Sequence, residues 1–184
     1  MSFSVLRDFV NCNTLTEINN FLDNSKWWSD FSSDYDTKRK AFSVTYKKND
    51  VPVFLKRFIT EKHNLYHFIG IETYNSGAID SHIDCEYQQI LINSNPGCRV
   101  SYPETVIHYV NIDPNMEGGE LVLNDYIKPI KPCSNMAIIL NPGTAHAVKA
   151  IKKVHTPRLV LVCERYYILS KFFKNIKSPE FRKG

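Results

Sequence analysis

His82 and Asp84 stand two positions apart in the stretch Gly-Ala-Ile-Asp-Ser-His-Ile-Asp, residues 77–84. In an extended segment alternate side chains point to one face, so this spacing aims an imidazole and a carboxylate at one point. A second imidazole there would complete a face of two histidines and one carboxylate, which binds non-haem Fe(II) and leaves positions open for other ligands. His146, in Asn-Pro-Gly-Thr-Ala-His-Ala-Val, is the candidate: it follows a Pro-Gly turn, opens a short strand and lies 64 positions after His82. Twelve residues further on, Arg158 heads the apolar run Leu159-Val160-Leu161-Val162-Cys163. An arginine leading an otherwise buried strand is costly without an anionic partner. The sequence sets no carboxylate beside it, and a guanidinium is suited to grip a ligand carboxylate through two hydrogen bonds.

Bringing residues this far apart to one point requires a closed β architecture. From residue 65 the apolar pattern has period two, and strands are predicted over 65–74, 88–92, 105–111, 120–123, 136–140, 146–150 and 159–167. Turn signals separate them, among them Asn75-Ser-Gly77, Asn95-Pro-Gly97, Asp113-Pro-Asn115, Gly118-Gly119, Asn124-Asp125 and Asn141-Pro-Gly143. The N-terminal part, about 1–64, reads differently. A first strand is predicted over 4–12, and Thr14-Leu-Thr-Glu17 has a capping-box pattern that places a helix over about 15–24. Phe42, Val44 and Tyr46 alternate as in a half-buried strand. Asp50 and Pro52 then open a second helix, with Val53, Leu55, Phe58 and Ile59 as its apolar stripe. Short strands after two helices indicate a mostly β fold, a double-stranded β-helix or jelly roll with the N-terminal helices packed on one sheet. A jelly-roll core over about 65–168 and a basic tail over 169–184 complete a single predicted domain.

Other candidate residues read as structural. Trp27, Trp28 and Phe31 are expected to plug the core beside the first helix. The stretch 29–40 is polar and reads as a loop. His63 and His67, four apart at the end of the second predicted helix, have no further ligand near them in sequence. His108 points away from the face shared by Ile107, Tyr109 and Asn111. His155 lies in an exposed loop. The segment 170–184 interleaves Lys171, Lys174, Lys177, Arg182 and Lys183 with Phe172, Phe173 and Ile176, which predicts a short amphipathic helix with a solvated basic face.

Composition limits the rest. The 184 residues suffice for one domain with a core, and a hydrophobic fraction of 43% is that of a globular chain. No apolar run approaches the ~20 residues that cross a bilayer. The start, Met-Ser-Phe-Ser-Val-Leu-Arg, lacks the pattern of a signal peptide. Five cysteines, odd in number and without Cys-x-x-Cys spacing, favour reduced thiols and a cytoplasmic location. A net charge of +4 admits an anionic ligand and does not require nucleic acid. Oligomeric state is left open.

Several motifs then occur in order: Tyr74-Asn-Ser-Gly77 before His82-Ile-Asp84; Tyr109-Val-Asn111 before Glu117-Gly-Gly-Glu120-Leu-Val-Leu123; and Pro142-Gly-Thr-Ala-His146 before Arg158. In this order and spacing, residues 74–166 resemble the 2-oxoglutarate/Fe(II)-dependent oxygenases, most closely the prolyl 4-hydroxylase-like branch. The resemblance implies that His82, Asp84 and His146 hold iron, and that Arg158 and Tyr109 bind the distal carboxylate of 2-oxoglutarate. His82, Asp84, His146 and Arg158 would be the catalytic set. It implies Fe(II), 2-oxoglutarate and O2, and admits ascorbate. The implied reaction yields succinate and CO2 and hydroxylates a C–H bond; with Asp84 present, hydroxylation is favoured over halogenation.

The chain departs from the family's pattern in three places. Lys152-Lys153-Val-His155 looks like an insertion, the Arg158 strand lacks the family's polar residue and Trp, and 85–104 has no clear match. That last segment is expected to shape the substrate entrance. The implied substrate is a prolyl or other residue of a peptide or protein. A free amino acid or small metabolite is the alternative, a nucleic-acid base is a weaker one, and a non-catalytic metal-binding jelly roll stands outside the enzyme class.

Overall fold

A computed structural model describes residues 3–30, 39–95, 97–124 and 126–182. Strand β1 (Phe3–Leu6) precedes helix α1 (Cys12–Asp23), β2 (Trp28–Asp30) and β3 (Arg39–Lys47). Two 3-10 turns, Lys48–Asp50 and Val53–Phe58, lead to β4 (Leu65–Thr73) and β5 (Ile79–His82). Helix α2 (Glu86–Ser94) is followed by β6 (Glu104–Asn111), β7 (Glu117–Gly118), β8 (Leu121–Leu123), β9 (Tyr126–Ile130) and β10 (Met136–Leu140). Then come β11 (His146–Val148), β12 (Ile151–Lys153), β13 (Arg158–Tyr166), the short α3 (Ser170–Phe173) and β14 (Glu180–Arg182).

The large sheet runs β1-β10-β6-β13-β4-β3-β14, with β2 on β3; a smaller one runs β5-β11-β8-β9, and β12 pairs with β7. Large antiparallel sheets make the molecule mostly β. One core lies between the large and small sheets, where Ile107, Tyr109, Ile138, Val160 and Val162 meet Leu121, Leu123 and Val148. A second lies on the opposite face of the large sheet, where Phe42, Val44, Phe68 and Leu161 meet Ile18 and Leu22 of α1 and Leu55 and Phe58 of the second 3-10 turn. The central strands are therefore covered on both faces, and β13 is buried at every position but one. His108, on the face opposite Tyr109, packs against Phe9 and Phe58 in this second core.

Several sequence-based expectations are corrected. Helix α1 begins at Cys12 because Asn11, not Thr14, caps it: its side chain accepts the Thr14 N–H at 2.8 Å. The first strand stops at Leu6, and Phe9 and Val10 turn inward to hydrogen-bond Asn135. The second helix is 3-10, which sets Leu55 and Phe58, three apart, on one buried face and leaves Val53 75% exposed. His63 and His67 therefore do not share a helix: His67 is in β4 with Thr45 Oγ1 at 2.9 Å from its Nδ1, and His63 meets Thr60. Residues 88–92 are helical, not a strand; Tyr87, Gln88 and Leu91 bury the inner side of α2. The tail forms only a four-residue helix and then β14, which pairs with β3. Ile176 is buried with Leu65 and Leu91. The N-terminal part is not simply helical, since β1, β2 and β3 all join the large sheet. β9 escapes the period-two pattern because it is almost wholly exposed. Trp27 packs edge-on against Phe42; Phe31, Pro96, Asp125, Lys183 and most of the polar stretch, 31–38, lie outside the described residues.

All five cysteines are free thiols. No helix among the described residues is long and apolar enough to cross a membrane. Gly118 requires glycine: its φ is +85°, and a Cβ there would stand 1.8 Å from the Ala150 carbonyl oxygen. That close approach lets β7 and β12 pair.

Burial pushes the His108 imidazole down to about 4. The unfolded chain takes up this proton near 6.5 and the folded chain resists it, so stability is full above pH 6.5 and falls as pH drops towards 4. For this one group the loss amounts to ~2–3 kcal/mol. Chemical denaturation at pH 7.5 and pH 4.5 should show a larger fall for the parent than for His108→Gln, by about that amount. Comparing the two cancels the opposing contribution of Glu164, whose carboxyl burial raises to about 7.

Candidate active site

The small sheet positions the metal-type cluster. His82 ends β5, its edge strand, and His146 begins β11; the antiparallel register sets them directly opposite. Their ring centroids are 4.4 Å apart. Asp84 is not on the strand but in the link between β5 and α2, from which it reaches both rings. Its Oδ1 lies 3.6 Å from His82 Nε2 and its Oδ2 lies 3.5 Å from His146 Nε2. These separations exceed hydrogen-bond length. They suit an ion between the groups, since bonds of about 2.1 Å put neighbouring ligand atoms roughly 3 Å apart.

Two further observations agree with such an ion. Asp84 Oδ2 is buried without a hydrogen-bond partner. Both rings also present Nε2 to the centre while Nδ1 faces a backbone carbonyl two residues back, Asp80 O at 2.8 Å and Thr144 O at 3.4 Å. A carbonyl only accepts, so Nδ1 carries the proton and Nε2 keeps its lone pair. Burial pushes the His146 pKa down, which also favours the neutral ligand form. Among the described residues no other three His, Cys, Asp or Glu side chains converge this way.

The large sheet supplies the other half of the cleft. Arg158 opens β13 and is 6% exposed; Tyr109 of β6 is fully buried. The guanidinium carbon lies 5.3 Å from the Tyr109 ring centre. Arg158 Nε and Tyr109 Oη both lack hydrogen-bond partners. Among the described residues Arg158 makes no ion pair with a carboxylate. Burial pushes the Tyr109 hydroxyl pKa up, against the pull of Arg158, so it stays a donor. Two unspent buried donors thus face a cleft of about 400 Å³ that also holds His82, Asp84 and His146, between walls that include Ile69, Ile71 and Val162. This donor set fits an acidic ligand at one end and a metal at the other. His155 is exposed and donates its backbone N–H to Asp113 Oδ2 at 2.6 Å, away from the cluster.

Sequence reasoning missed Glu164, which lines the same cleft. Positions 158, 160, 162 and 164 share one face of β13, so a carboxylate two steps past Val162 could have been read as facing inward. Cys85 and Glu86, at the start of the segment 85–104 that was expected to shape the entrance, also line the cleft.

No protein-family model matches the chain, and no curated protein matches it either. Solved structures do. A 2OG-Fe(II) oxygenase family oxidoreductase from Burkholderia pseudomallei aligns with a TM-score of 0.60 and 14% identity, over 90% of this chain and 85% of that one. The viral collagen prolyl hydroxylase of Paramecium bursaria Chlorella virus-1, in complex with 2OG, gives 0.59 and 12%, over 92% and 97%. HygX from Streptomyces hygroscopicus, with nickel, 2-oxoglutarate and hygromycin B bound, gives 0.54 and 10%, over 90% and 83%. The chain has the fold of the 2OG-Fe(II) oxygenases and prolyl hydroxylases; at these identities the fold is what is shared.

Proposed function

We propose that the chain is a single-domain 2-oxoglutarate- and Fe(II)-dependent oxygenase that hydroxylates a C–H bond of a prolyl or other residue in a peptide or protein. The observation that carries this reading is the meeting, in one cleft, of the His82–Asp84–His146 cluster with the unpaired donors of Arg158 and Tyr109. When bound, iron and the 2-oxo acid would activate O2, which supplies the oxidising power while the oxo acid is oxidised to succinate and CO2. The protein's own residues do the rest. His82, Asp84 and His146 hold the metal through two neutral nitrogens and a carboxylate. Arg158 and Tyr109 hold the distal carboxylate of the oxo acid. Val160, Val162 and Ile69 keep its chain away from water, where charge-assisted hydrogen bonds are strongest.

The viral collagen prolyl hydroxylase supports a peptide substrate. HygX, with hygromycin B bound on the same fold, supports a small-molecule substrate as the second reading. A panel of peptides, amino acids and oligonucleotides separates them by which class stimulates succinate formation. The same assay tests Asp84. Its side chain supplies charge to the cluster and little to the core, so Asp84→Gly should abolish or greatly reduce turnover while circular dichroism stays that of the parent. Full activity in Asp84→Gly would remove Asp84 from the site.

A further inference from the structure

Asp84 is the middle residue of a three-residue link, Ile83–Cys85, so something must fix the backbone from which it reaches both histidines. The helix that follows has no cap of its own: the Cys85 side chain makes no capping bond. Its first three amides are instead satisfied from β13. Glu164 Oε1 accepts the Glu86 N–H at 3.1 Å, Glu164 Oε2 accepts the Tyr87 N–H at 3.2 Å, and Tyr166 Oη accepts the Gln88 N–H at 3.2 Å. The Tyr166 hydroxyl in turn donates to Glu164 Oε2. Glu164 and Tyr166 are 1% exposed each, on the same face of β13 as Arg158. Below them the Tyr87 ring stacks on His67, with centroids 4.8 Å apart.

We infer that Glu164 and Tyr166 are positioning residues for Asp84: as a paired cap supplied by β13, they anchor the start of α2 to the large sheet and so fix the carboxylate against the two histidines of the small sheet. This inference rests on the reading of Asp84 as a metal ligand. It also makes β13 the common ruler of the site, with Arg158 at one end and the anchor of Asp84 at the other. A carboxylate accepting two backbone amides and a phenol cannot be replaced by an amide without loss, because a glutamine nitrogen would face donors.

The test is Ni(II) affinity by calorimetry, well below the unfolding temperature, on the full chain. Nickel is chosen because two histidines alone retain measurable affinity for it. Glu164→Gln should weaken Ni(II) binding by about 10-fold or more, the range for groups that orient metal ligands. Tyr166→Phe, which keeps the ring in place, should weaken it several-fold and carries the test if Glu164→Gln does not fold. In an Asp84→Ala background, Glu164→Gln should cause no further loss, because the carboxylate it positions is gone. Asn11→Ala, which uncaps the distant α1, should lower stability and leave Ni(II) affinity unchanged. Parental affinity in both Glu164→Gln and Tyr166→Phe would overturn the inference. So would an equal loss from Glu164→Gln with Asp84 absent, since that would mark a general structural effect. If Asp84→Ala itself binds Ni(II) as the parent does, the ligand reading fails first and this inference with it.

Discussion

Replacing Arg158 with methionine is expected to weaken 2-oxoglutarate binding by about 2–4 kcal/mol, the scale for removing one side of a desolvated charge pair. Methionine keeps much of the length and apolar bulk of the side chain, so the β13 packing persists while the cation is lost. Arg158 is buried, has an unspent Nε donor and makes no ion pair with a carboxylate among the described residues. Tyr109→Phe removes one hydrogen bond and should cost less, about 1 kcal/mol. Calorimetry with 2-oxoglutarate, using Mn(II) in place of iron, reads both losses. Metal affinity measured without the oxo acid should change little in either variant. Parental 2-oxoglutarate affinity in Arg158→Met would place the cosubstrate elsewhere and remove the most specific support for an oxygenase.

The second large effect falls on the metal. His146 is the most buried member of the cluster, its side chain 4% exposed against 39% for His82 and 18% for Asp84. His146→Ala should remove one of three protein ligands and leave Asp84 Oδ2 buried beside an empty space. Fe(II) binding should fall by at least 100-fold, the upper end of the range for groups that merely support a ligand. His82→Ala should act in the same direction. Equilibrium dialysis under anaerobic conditions, with circular dichroism on the same samples, separates lost metal from lost fold. Unchanged metal binding in both variants would rule out the cluster as the metal site.

What the sequence made legible follows from the range of each signal. Period two exposed the long strands β4, β6, β10 and β13, because each alternates polar and apolar residues or is buried on both faces. The spacing of His82 and Asp84 located the cluster, although Asp84 reaches it from a link and not from the strand. Helix α2 was illegible for a physical reason. Its first turn is satisfied by Glu164 and Tyr166, more than 75 residues away, so no local capping signal exists to read. The 3-10 turn over 53–58 likewise shows the apolar spacing of a helix and differs only in backbone geometry. Glu164 was overlooked because its strand reads as apolar, although period-two alternation from Arg158 already sets this carboxylate on the cleft face. The short pair β7 and β12 depends on Gly118 lying against Ala150, a contact between distant segments.

A cleft that holds a metal and a 2-oxo acid together should reveal both in one spectrum. Anaerobic titration tests this most directly. Adding Fe(II) and 2-oxoglutarate to the protein should produce a visible charge-transfer band that neither produces alone. The band should be lost in His146→Ala and should require more 2-oxoglutarate to saturate in Arg158→Met. A parent protein that binds both and develops no band would separate the two ligands, and a band that survives unchanged in His82→Ala and His146→Ala would place the metal elsewhere.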